Sequence, residues 1–91
     1  MARVRIVSIR FDEKFKIYIL SAKVITGTIY TGMQASSMII AGILLDNKMR
    51  DKATVNQLFD FTFRMDPKKG ATDQEKIDWL NTLIGEELEF N

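Results

Sequence analysis

A chain of 91 residues has room for one hydrophobic core, and residues 1–91 read as a single domain. A content of 46% hydrophobic and 27% charged residues is that of a folded chain and excludes a disordered one. The absence of cysteine and histidine excludes disulfides, thiolate metal sites and histidine-based catalysis.

The net charge of +1 hides an asymmetry. Residues 1–72 carry twelve Lys and Arg against six Asp and Glu, a balance of +6, whereas residues 73–91 carry one Lys against six acids, a balance of −5. A basic body followed by an acidic tail suits either a polyanion-binding face with a self-shielding segment or two separately solvated ends.

Met1 leads directly into the Arg3-Val4-Arg5-Ile6 stretch without the apolar core of a signal peptide, so a cytoplasmic location is expected. Arg3 to Phe11 alternates, with Val7, Ile9 and Phe11 on one face and Val4 and Ile6 on the other. Asp12-Glu13-Lys14 reads as a polar turn, after which Phe15, Ile17 and Ile19 share a face and Lys16 and Tyr18 share the opposite one. The two runs predict a hairpin. Val24 to Thr31 is rich in β-branched residues and predicts a strand, punctuated by Gly27 and Gly32. Met38 to Leu45 is apolar throughout apart from Gly42. Its eight residues are too few to span a membrane, and its isoleucines favour a buried strand.

Asp46-Asn47 reads as a turn rather than a calcium loop, since the glycine and glutamate that such a loop requires are missing. Residues 55–64 are ambiguous: as a strand they turn Val55, Phe59, Phe61 and Phe63 inward, with Gln57 as the one violation, and aromatic content favours that reading. Asp66-Pro67-Lys68-Lys69-Gly70 is a loop. Thr72-x-x-Glu75 forms a capping-box pattern, and Ile77, Leu80, Leu83 and Ile84 follow at helical spacing, which predicts a helix over 72–85 stopped by Gly85. Trp79 lies beside that stripe as a rim residue, and Met33, Met38, Met49 and Met65 are read as packing residues. Leu88 and Phe90 turn inward from a short last strand.

The expected fold is mainly β: a small closed β-barrel of about six strands with one C-terminal α-helix. The alternative is an α+β fold with an N-terminal meander and helices. No catalytic, cofactor-binding or metal-ligating set can be assembled. Ser-Lys pairs such as Ser21 and Lys23 have no third group to orient them, and no glycine-rich phosphate loop is present. The chain is therefore read as a binding module, not an enzyme, with no cofactor and no membrane partner. The basic residues Arg3, Arg5, Lys14, Lys16 and Lys23, interleaved with Tyr18, are the candidate nucleic-acid-binding set: cations on a sheet face can follow phosphates, and a tyrosine can stack on a base.

Val24-Ile25-Thr26-Gly27-Thr28-Ile29-Tyr30-Thr31-Gly32, with Phe15, Ile17 and Ile19 before it and Met38 to Ile40 after it, resembles the second domain of translational GTPases such as elongation factor Tu. Leu83 to Leu88 is similar to that domain's closing turn and strand. The family's Gly-Asp turn is replaced by Ser36-Ser37-Met38, and no functional residue carries over. The resemblance implies a β-barrel associated with RNA or the ribosome. Independently of it, the two-sided apolar strands suit a protein-interaction or homo-oligomeric assembly module.

Overall fold

A computed structural model describes residues 1–35, 38–65 and 73–91. Ser36 and Ser37, which replace the Gly-Asp turn of the resembled family, the expected Pro67 loop and the Thr72 half of the capping box lie outside the described residues. Strands β1 (Ala2–Asp12) and β2 (Ile17–Thr26) form the antiparallel hairpin. β2 also pairs with β8 (Leu58–Met65), β8 with β5 (Met38–Leu45), β5 with β4 (Gln34–Ala35), and β1 with β9 (Glu87–Phe90). Gln34 and Asn91 then exchange reciprocal N–H to carbonyl bonds of 2.9 and 3.0 Å, joining the first and last strands of that order. The result is a nearly closed antiparallel barrel of six strands, which leaves few edges for a neighbouring sheet to pair with.

Three short strands decorate the ring. β6 (Lys48–Arg50) folds back on β5, and β3 (Thr28–Tyr30) pairs with β7 (Lys52–Thr54) as a separate two-stranded ribbon. Asp46 and Asn47, both at positive φ, connect β5 to β6 by a two-residue turn whose twist matches the flanking strands.

Side chains opposite one another across β2 build the core in tiers. Ile6 pairs with Ala22 and Ala22 with Phe59; the next tier runs from Leu20 to Phe61 to Ile43. Phe61 is fully buried, with ring centroids 5.5 Å from Phe59, 6.3 Å from Phe63 and 6.0 Å from Phe90. Among the described residues no polar or charged side chain is buried. Helix α1 (Asp73–Thr82) adds Leu80, and the turn after it adds Leu83, to the same cluster, with Trp79 half-buried at its rim. The helix is shorter than expected. Ile84 stays exposed, and Gly85, at φ +85°, directs the chain into β9, its N–H donating to Ile6.

Several expectations need correction. The faces expected for β1 shift at Val7, the extra residue of a β-bulge between Ile6 and Ser8, so even positions face the core before it and odd positions after it. The turn spans residues 13–16, which removes Phe15 from β2. Tyr18 and Leu20 join the main core cluster from β2; Ile19, on the opposite face, is also buried, while Ile17 is exposed. Val55 and Gln57 precede β8; Val55 is exposed, and Gln57 instead accepts a bond from the Thr54 amide at 2.8 Å. Met49 is 70% exposed rather than packed. β5 shows alternating burial over its first half, with Ile39 exposed.

Gly27 separates β2 from β3 at φ +77°, and a Cβ there would lie 2.6 Å from the carbonyl oxygen of Met1 and 3.0 Å from the Cα of Ala2. Gly27→Ala should therefore lower unfolding stability by about 1–3 kcal/mol in denaturant titration. Phe61→Ala empties the centre of the core. It should cost about 3–5 kcal/mol, a large part of the total for a domain of this size, and appear as a drop in melting temperature of well over ten degrees.

Candidate functional site

The candidate cations fall into two groups. Arg3, Arg5 and Lys23 lie on the barrel wall, where Arg5 and Lys23 are direct cross-strand partners. Lys14 and Lys16 lie in the turn between β1 and β2, roughly 20 Å or more further along the hairpin at about 3.3 Å per residue. Asp12 holds that turn: its Oδ1 accepts the amides of Lys14 at 2.9 Å and Phe15 at 3.3 Å. Lys14 Nζ lies 5.5 Å from the centroid of the Phe15 ring. Tyr18, expected as an exposed stacking platform, is half-buried against the core, with its ring 4.9 Å from Phe11.

The two wall arginines face the acidic tail. β9 pairs with the start of β1 so that Glu89 opposes Arg3 and Glu87 opposes Arg5. The side chains meet at 3.9 and 3.1 Å respectively. Arg10 meets Asp60 at 3.3 Å, and Asp60 also accepts the Ser21 hydroxyl at 2.5 Å. Exposed pairs of this kind contribute about 0–1 kcal/mol each to stability. Their larger effect is on the field: carboxylates interleaved with the arginines cancel the positive potential that a phosphate backbone would follow.

Other cations escaped notice in the sequence because they stand in a short segment with two aspartates. Arg50 and Lys52, with Leu45, Asp51, Thr54 and Gln57, line an open cleft of about 310 Å³. Lys48 is exposed on the same strand as Arg50, and Tyr30 is the cross-strand partner of Lys52. Among the described residues, no group of three or more acidic side chains is placed to hold a metal ion. Among the same residues no helix is long and apolar enough to cross a membrane.

The most distinctive surface is the arm formed by the far half of the hairpin. β9 follows β1 only as far as Ile6, whose amide donates to Glu86 at 3.0 Å, and β8 pairs with β2 only from Ile19 to Lys23. Beyond those limits, among the described residues, β1 and β2 pair only with each other. Val7, Phe11, Phe15 and Ile17 are 48%, 48%, 65% and 37% exposed on this arm. The signal for it in the sequence is the pair of strands with apolar residues on both faces.

If β9 shields the wall arginines, Glu87→Lys with Glu89→Lys should raise the net charge from +1 to +5, since each substitution adds two charges. This variant should elute from a heparin column at clearly higher salt than the parent while changing unfolding free energy by no more than about 1–2 kcal/mol. No protein family, no curated relative and no solved structure matches this chain.

Proposed function

We propose that this protein is a nonenzymatic β-barrel binding module that docks a protein chain through the β1–β2 arm. The observation that carries this reading is the exposure of Val7, Phe11, Phe15 and Ile17 on the two faces and the tip of a segment whose backbone edges lack other strand partners among the described residues. Single exposed apolar side chains are ordinary, but four of them along one hairpin arm point to a contact surface. The barrel has a complete core without these four side chains, none of which belongs to its buried cluster. The proposed setting is the cytoplasm, with no membrane partner.

A second reading keeps the RNA- or ribosome-associated barrel suggested by the resemblance to the second domain of translational GTPases. It is favoured by Lys14, Lys16 and Lys23, which have no ion-pair partner among the described residues, and by Lys48, Arg50 and Lys52 around the cleft. Arg3 and Arg5 count less toward it because Glu89 and Glu87 already face them.

The hydrophobic dye bis-ANS, added at low protein concentration, separates the readings. The variant Val7→Ser, Phe15→Ser, Ile17→Ser should lose most of the parent's dye fluorescence, with the unfolding free energy shifted by no more than about 1–2 kcal/mol, because the replaced groups are exposed. Unchanged fluorescence would remove the arm as a docking surface. Binding of poly(U) at low salt that weakens in Lys14→Glu, Lys16→Glu, Lys23→Glu would install the RNA reading in its place.

A further inference from the structure

Taking the arm as the docking surface, we infer that its occupant is a second copy of this chain, paired antiparallel along the free edge of β1 at Arg10 to Asp12. An exposed strand edge is a template for another strand, and a two-fold axis lets one edge serve both copies. The residues on this edge choose one register.

Opposite residues in an antiparallel pair share a face, so a symmetric pairing must centre on a single residue. Beyond the bulge, Ile9 and Phe11 lie on the face of Leu20 and Tyr18, while Arg10 and Asp12 lie on the face of Ile19 and Ile17. Centring on Arg10 would set two arginines opposite each other, and centring on Asp12 would set two aspartates opposite each other; both are destabilising. Centring on Ile9 would draw the bulge residue Val7 into the ladder. Centring on Phe11 avoids both faults: the ladder is short, Arg10 to Asp12, and Ile9 and Ser8 lie beside the turn residues Glu13 and Lys14 of the other copy. It places Arg10 of each copy opposite Asp12 of the other, making two opposite-charge pairs on one face. On the other face it brings the two Phe11 rings together at the axis, beside Ile9 and Tyr18 of both copies.

The groups involved can make these contacts. The Arg10 side chain is 56% exposed beyond its contact with Asp60, and it is Oδ1 of Asp12 that takes both turn amides. Phe11 is about half exposed as the chain stands alone, and it lies outside the buried cluster.

Sedimentation velocity over a concentration series tests the pairing, with circular dichroism confirming that each variant is folded. The parent should form a dimer. Arg10→Asp and Asp12→Arg should each weaken self-association by about tenfold or more. An equal mixture of the two variants should regain a mixed dimer of parental affinity, because every charge then meets its opposite. If Asp12→Arg fails to fold, Phe11→Asp supplies the second disruption, setting two carboxylates at the axis. A parent that sediments as a monomer throughout, or a dimer indifferent to Arg10→Asp and Phe11→Asp, overturns the pairing. Loss of dye binding in the serine variant of the arm alongside a monomeric parent would leave the docking surface standing and assign it to a foreign chain.

Discussion

In β1 the residues facing the core change from even to odd numbers at Val7, and they do so where β9 stops following the strand. Before the bulge, Val4 and Ile6 point into a barrel wall that is paired on both sides. After it, Ile9 packs at the margin of the core and the strand pairs on one side only, among the described residues. A bulge adds one residue to one strand, turns the side chains of everything beyond it, and increases local twist. One strand can thereby serve first as a stave of the barrel and then as half of an arm. Without that phase change, either Val4 and Ile6 or Ile9 would have to face water.

The interior depends on matching large and small side chains across the same ladders. Ala22 sits opposite both Ile6 and Phe59, so a small residue separates two large ones in one tier. In the next, Phe61 spans the space between Leu20 and Ile43 and touches the Phe90 ring from the last strand. Alternation of this kind lets a narrow barrel fill at the density of a protein interior. Phe90 ties chain closure to packing: Asn91, its neighbour, makes the reciprocal bonds to Gln34 that bring the ends of the sheet together.

On the outside, the excess positive charge of the body is met by the tail that sequence places farthest from it. Glu87 and Glu89 alternate outward along β9 because Leu88 and Phe90 take the inward positions, and antiparallel register sets them against Arg5 and Arg3. The +6 and −5 halves are thus laced together at the β1–β9 seam rather than forming opposed poles. Among the described residues, Lys14 and Lys16 on the arm and Lys48, Arg50 and Lys52 around the cleft make no ion pair, and what stays uncovered is the apolar arm itself.

Much of this architecture was legible in residue order. Strand tendency at Met38–Leu45, the helix with Leu80 inward, the bend at Thr26-Gly27 and the inward Leu88 and Phe90 follow from local periodicity, β-branched content and glycine's freedom at positive φ, all of which act over a few neighbours. The faces of β1 and β2, the exposure of Val7, Phe11, Phe15 and Ile17, and the pairing of Arg3 and Arg5 with β9 were decided only in three dimensions. A bulge leaves no mark in composition, and apolar residues on both sides of a strand are equally consistent with burial and with a contact surface. Burial and charge compensation are set by which strand lies alongside, and here the deciding neighbour of β1 arrives more than eighty positions later in the chain.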